Sequence, residues 1–391
     1  MGRIRPSSCA ALLAIAAAVA CTRLVGLDTL NTSGEDAAAT DGSLDGDAAL
    51  DASRDTRDTG GATDGAADGT LEIAVDTMAT DVPTDTPADT PTDAGPPSSC
   101  VGAGVGVSDC ADGESCSVSN TVTGGTFRRS ADATAPATIS TFRLDRYEVT
   151  VGRFRKFVDA VVAGYKPTTG GGKHAHLNGG SGLAATGGGY EPGWDAAFAT
   201  HVPSIKSEWD TSLGCNAAYQ TWTAGNDKRP INCLNWYQAY AFCIWDGGFL
   251  PSEAEWEYAA AGGSAQRVWP WGDTSPPSNA SLAVYGCHFP VAGASCSGVT
   301  NIAPVGSVPA GAGLFKQLDL AGNFTEWALD WHLPYVAACV DCANFSPGAT
   351  TRVIRGGDLN DGATMIQTAY RTSFAPANRS TNLGFRCARS P

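Results

Sequence analysis

Chemistry in this chain would have to come from a few polar stretches. Residues 355–371 read Arg-Gly-Gly-Asp-Leu-Asn-Asp-Gly-Ala-Thr-Met-Ile-Gln-Thr-Ala-Tyr-Arg, which sets Asp358 and Asp361 three residues apart. At that spacing two carboxylates can face one site and divide acid and base duties, although an exposed polar loop is the plainer reading. Cys339-Val340-Asp341-Cys342 has the spacing of a redox pair. No strand-helix unit of the thioredoxin type adjoins it, so a structural disulfide is expected. His174 and His176 could ligate one metal only from a strand or turn; with no third ligand nearby, a glycine-rich surface loop is expected. Neither a Gly-x-Ser-x-Gly elbow nor a phosphate-binding loop occurs.

The elements that must hold these residues are legible from caps and periodicity. Thr150 can cap a helix in which Val151, Phe154, Phe157, Val158, Val161 and Val162 recur at helical spacing, and Gly164 stops it. Asn235 can cap a second helix, whose stripe of Trp236, Ala239, Tyr240, Cys243 and Ile244 faces the core up to Gly247. Pro251 and the Ser252/Glu255 capping box start a third, stopped by Gly262-Gly263. In that helix Trp256 and Ala260 share a face expected to be anchored, while Glu253 and Glu257 share one expected to be wet.

The same stretches carry a family signature. Gly-Phe-Leu-Pro-Ser-Glu-Ala-Glu-Trp-Glu-Tyr-Ala-Ala from Gly248, Trp-Pro-Trp-Gly from Trp269, Gly-Asn-Phe-Thr-Glu-Trp from Gly322, Arg355-Gly356-Gly357, and Leu383-Gly-Phe-Arg-Cys-Ala follow one another in that order. This order resembles the formylglycine-generating, or sulfatase-modifying factor, family from about residue 124 to 389. The resemblance implies an α+β fold related to C-type lectins and rich in irregular loops, occupying residues 122–391 behind a Cys-rich lead segment at 99–121. It further implies a disulfide between Cys243 and Cys387, and a calcium ion held by Asp319, the carbonyls of Gly322 and Phe324, and Glu326. Hard oxygen ligands of that kind suit calcium.

One departure bears on activity. The family's oxidase chemistry uses two cysteines soon after Arg-Gly-Gly, because paired thiolates hold copper(I). Counted from the glycines, those positions are Asp361 and Ile366, and residues 343–386 contain no cysteine. Copper is therefore not expected, and neither is the oxidase reaction. What remains is a calcium- and disulfide-stabilised platform whose cleft, rimmed by Asp358, Asn360, Asp361, Tyr370 and Arg371 with Trp331 near, would bind a peptide, glycan or small ligand. The alternative is an enzyme using the same cleft, either a formylglycine-generating oxidase or an acid/base catalyst. Relatives that form sulfur-carbon bonds use iron-binding histidines of a separate helical domain, which this chain lacks.

Composition sets the surroundings. Arg3 and Arg5 precede an apolar run that ends in Ala18-Val19-Ala20-Cys21, so residues 1–20 read as an export signal and Cys21 as a lipobox cysteine. The expectation is a lipoprotein of the bacterial cell envelope, anchored in the outer membrane or exported to the surface. Residues 21–98 form an acidic Asp/Thr/Ala/Gly/Pro linker; from 28 to 98 there are 17 acids, two arginines and no aromatic residue, so no core can form there. As a tether it would span roughly 45 Å or more. The chain's net charge of −15 therefore belongs almost wholly to the linker. With no basic excess in the folded part, nucleic acid is not an expected partner. Thiols outside the cytoplasm tend to pair, and sequence neighbours suggest Cys215–Cys233, Cys287–Cys296 and Cys339–Cys342, while Cys100, Cys110 and Cys116 leave one over.

Overall fold

The computed structural model describes residues 96–391 except 294, 337, 338 and 347. The export signal, Cys21 and nearly all of the acidic linker lie outside the described residues.

Helices begin where side chains satisfy the first free N–H groups. The Thr150 hydroxyl accepts from the Arg153 amide, and α1 (Val151–Val162) follows with its apolar stripe buried as far as Val161. Helix α2 (Lys206–Leu213) lies in the stretch after the glycine-rich insertion and has no side-chain cap. Asn235/Gln238 and Ser252/Glu255 form full capping boxes at the starts of α3 (Trp236–Trp245) and α4 (Glu253–Ala260). Beyond α4 the chain turns through Gly262 and Gly263 at φ +67° and +64°, conformations that glycine adopts at little cost.

Strands are short. Before α1 come β1 (Ser119–Val122), β2 (Gly125–Arg128), β3 (Pro136–Ile139) and β4 (Phe142–Asp145), and β5 (Ala184–Ala185) sits in the glycine-rich insertion. After α4 come β6 (Thr325–Trp331), β7 (Cys339–Val340), β8 (Cys342–Ala343), β9 (Arg352–Arg355), β10 (Arg371–Phe374), β11 (Leu383–Gly384) and β12 (Ala388–Arg389). The largest sheet runs β10-β9-β6-β11, with β9 antiparallel to both neighbours and β11 parallel to β6. β12 pairs with β4 in a second sheet, so the last segment of the chain completes two sheets. This is the α+β architecture expected from the sequence.

The main core joins α1, α3 and the large sheet. Phe154 stacks on Phe242 at 5.6 Å, while Trp209 and Phe385 meet it edge-on, arrangements that suit the ring quadrupoles. Cys243–Cys387 closes as the resemblance implied, and Cys215–Cys233, Cys287–Cys296 and Cys339–Cys342 form as their spacing suggested. In the lead segment Cys110 bonds Cys116, and among the described residues Cys100 has no disulfide partner. Arg153 and Arg389 bind Asp145 and Asp246 in a buried four-charge cluster.

Two expectations need correction. The Glu253/Glu257 face of α4 is not wet: both glutamates are buried, Arg355 of β9 reaches both, and Arg371 of β10 forks onto Glu253 at 2.7 Å. Helical periodicity reads glutamate as solvent-facing, and it cannot register arginines arriving from a sheet far away in sequence. His174 likewise does not ride a surface loop. Its ring is fully buried, with Nδ1 2.9 Å from Glu191 and Nε2 2.9 Å from Glu255, and it makes a clamp between the insertion and α4.

Candidate functional site

The loop between β9 and β10 begins with a forced turn. Gly356 and Gly357 have φ of +95° and +66°, and a Cβ on Gly357 would lie 2.6 Å from the Met365 carbonyl oxygen and 2.8 Å from Ile366 Cγ2. Only glycine fits there. From this turn Leu359 drops into an apolar cluster with Val284, Ile302, Val308 and Phe324. Its amide donates to the Asn323 carbonyl, and its own carbonyl accepts from Cys287. The Cys287–Cys296 disulfide thereby lies against the loop, with Cys287 Sγ 3.7 Å from Asn360 Oδ1.

Three of the sequence-derived rim residues come together. The Asp361 carboxylate accepts the Asp358 N–H at 2.9 Å, Asp358 Oδ1 accepts the Asn360 N–H at 2.7 Å, and Asp358 Oδ2 accepts from Asn382 at 3.3 Å. Burial, reinforced by the charge on Asp361, pushes Asp358 up to about 6, and burial also raises Asp361. Asn382 went unnoticed in the sequence, although it directly precedes the quoted Leu383-Gly-Phe-Arg motif. Ile366 is not on this rim. It is 1% exposed, in an apolar cluster with Trp269, Ala283, Tyr285 and Ala321.

Tyr370 and Arg371 belong to a different group, which corrects the single rim drawn from sequence. Arg371 binds Glu253 and the Leu333 carbonyl and lies 4.4 Å from the Tyr335 ring centre, while the Tyr370 carbonyl accepts from Arg355. Residue counting along the loop cannot show that β10 carries the Arg371 side chain onto Glu253 of α4. Trp331 is taken up by Arg352, whose guanidinium is sandwiched 3.6 Å from Trp331 and 3.9 Å from Trp236. Burial alone brings Arg352 down to about 9 against the pull of Asp330 and two tyrosines.

The positions implied for calcium fall in one buried, acid-rich cluster. Glu326 receives Arg386 on both oxygens and the Trp256 indole at 2.9 Å; Asp319 accepts from the Gly306 amide at 2.6 Å. Glu148, missed in the sequence reading, accepts from Asn323 and from the Phe324 amide. Burial, with Asp319 and Glu326 as neighbouring charges, raises Glu148 well above the carboxylate range, and burial lifts Asp319 to about 6. Three carboxylates thus face one guanidinium. Among the described residues no three His, Cys, Asp or Glu side chains are placed to hold a metal by themselves, so a cation here would draw on backbone carbonyls as well. An acid excess built of hard oxygens is donor chemistry of the kind calcium takes.

Comparison with known proteins places these features in a family. The model of the sulfatase-modifying factor enzyme 1-like domain matches residues 109–391. The mouse formylglycine-generating enzyme is 31% identical over 276 residues, covering 66% of this chain and 69% of that protein. The Streptomyces coelicolor formylglycine-generating enzyme is 38% identical over 171 residues, which cover 42% of this chain and 54% of that enzyme, so the chain spans about half the length of that relative. The mouse protein described as inactive C-alpha-formylglycine-generating enzyme 2 is 34% identical over 168 residues, 42% of this chain and 50% of that protein. With the family model covering the folded part almost end to end, this chain belongs to the sulfatase-modifying factor enzyme 1-like family.

Proposed function

We propose that this is an exported, lipid-anchored member of the family that binds a ligand rather than oxidising a cysteine. One observation carries the reading: where a copper-binding thiol pair would follow Arg-Gly-Gly, the chain has the carboxylate Asp361 and the core residue Ile366. Copper(I) requires soft ligands facing each other, and a carboxylate with an isoleucine supplies none. The chain resembles both a mouse formylglycine-generating enzyme and the mouse protein described as inactive, so the residues after Arg-Gly-Gly decide between the two readings. The ligand would be a peptide, glycan or small polar molecule meeting Asp358, Asn360, Asp361 and Asn382. Nucleic acid is disfavoured by the acidic charge balance. Cys21 would carry the lipid, with residues 21–98 holding the domain off the membrane.

The test is direct. Purified protein, supplied with copper and oxygen, should neither bind copper(I) stoichiometrically nor alter the mass of a Cys-x-Pro-x-Arg peptide. Conversion of that cysteine would restore the oxidase reading. An Asp361→Cys/Ile366→Cys double variant that gains copper binding would locate the loss in the ligands rather than in the cleft.

Calcium belongs to the same proposal. Asp319, Glu326 and the Gly322 and Phe324 carbonyls would hold it, and its charge would offset the carboxylate excess. A ligand that binds only the folded state stabilises it by about 2.7 kcal/mol at a hundredfold excess over Kd. Calcium should therefore raise the melting temperature by several degrees, and Asp319→Asn should remove most of that rise. Identical melting curves in calcium and in chelator would sink the idea.

A further inference from the structure

Away from the β9–β10 loop, a cavity of about 570 Å³ opens between the segment leading into α2 and residues 377–379, bordered by Thr200, His201, Ser204, Glu208, Asn235 and Arg379. Two of these carry charge, and neither charge is spent on the protein. Arg379 donates through Nη1 alone, to the Cys233 carbonyl at 3.1 Å and to Gln238 Oε1 at 2.6 Å. That anchors one edge of the guanidinium and leaves the Nε/Nη2 edge, a side that can grip a carboxylate with two parallel bonds, without an acceptor among the described residues. Burial lowers its pKa with no acidic neighbour to offset the effect. Glu208, in the first turn of α2, accepts only a long 3.4 Å bond from the Ser204 amide. Among the described residues neither Arg379 nor Glu208 enters an ion pair.

The wall between them is fixed. The His201 ring lies flat on Tyr237, with centres 4.0 Å apart and planes 8° apart, and the His201 carbonyl accepts from the side chains of Asn235 and Gln238. Asn235 is also the cap of α3, so it cannot turn away without costing the helix its first bond. The cavity therefore presents a positive and a negative group that border the same space and make no ion pair with each other.

We propose that this cavity binds a small zwitterion, its carboxylate on the free edge of Arg379 and its ammonium on Glu208. A ligand with one charge would satisfy one wall and leave the other facing water. The site goes beyond the binding role assigned to the β9–β10 loop and does not depend on it. Residues 380–382 run between the two: the Ser380 carbonyl accepts from Cys233 and Asn382 reaches Asp358.

Calorimetric titration of the full chain with glycine, β-alanine, 4-aminobutyrate and 6-aminohexanoate would test it, because this series varies the distance between the two charges. Hexanoate and hexylamine serve as singly charged controls. One member of the series should bind with a Kd below about 10 mM and at least about fivefold more tightly than either control. Glu208→Gln, on an exposed helix position, should weaken that member about fivefold without shifting the melting temperature, and Arg379→Gln should weaken it too. No binding by any member, equal binding by the controls, or an unchanged affinity in the folded Glu208→Gln protein would each overturn the proposal.

Discussion

Raising the pH from about 6.5 to about 10 is expected to destabilise the folded domain by up to about 5 kcal/mol, through His174 alone. Burial works against the imidazolium, but the carboxylates of Glu255 and Glu191, each 2.9 Å from a ring nitrogen, overcome it and lift the pKa to about 10. A group whose folded pKa is raised holds its extra proton in the folded state only. Its stabilisation is therefore complete below the unfolded value near 6.5 and is lost as the pH climbs through about 10. Glu257 and Asp330, both raised to about 7 by burial, act in an earlier window: each costs stability as the pH rises from the ordinary carboxylate range through 7. Urea unfolding across a pH series should show both limbs, and His174→Gln should flatten the alkaline one while lowering stability at pH 6. Parallel curves for the two proteins up to pH 10 would show that the clamp carries no charge.

Arg386→Lys should cost about 3–5 kcal/mol, although the charge is kept. The guanidinium is fully buried and spends every nitrogen: Nε and Nη2 on Glu326, Nη1 on the Asp145 and Arg146 carbonyls, and Nη2 also on Leu318. An ammonium has three donors and no fork, so at least two buried acceptors lose their partner. The loss falls on the cluster where Glu148 and Asp319 already strain against burial. A midpoint of denaturation within about 1 kcal/mol of wild type would mean that the five-way arrangement contributes little beyond its charge.

How much of this was legible before the structure depends on the range of the interaction. Caps are local, and Thr150, Asn235 and Ser252 mark the starts of their helices as their residue types indicate. Helix α2 was missed because its two core residues, Trp209 and Leu213, make too short an apolar repeat to stand out between turns. Long-range pairings could not be read from spacing: Glu253 meets Arg371, and His174 meets Glu255, across more than eighty residues of sequence. Motif order brought in the Cys243–Cys387 bond and the fold, neither of which periodicity supplies. In the candidate site Asp358, Asn360 and Asp361 lie within four positions of one loop, so nearness in sequence and nearness in space coincide. Arg371 is different: β10 carries its side chain onto Glu253, a pairing that distance along the chain does not reveal.

β11, Arg386, Cys387 and β12 lie side by side in sequence, yet they join β6, Glu326, α3 and β4. The ribosome makes this stretch after every segment it joins. Until it emerges, β6 lacks a neighbour, Glu326 lacks its cation and Cys243 lacks its partner, so a nascent chain cannot settle into a premature native core. The cost is a slow closing step that brings together segments separated by 144 residues. A product shortened before this stretch would leave Cys243 unpaired and take Phe385 away from Phe154 and Phe242.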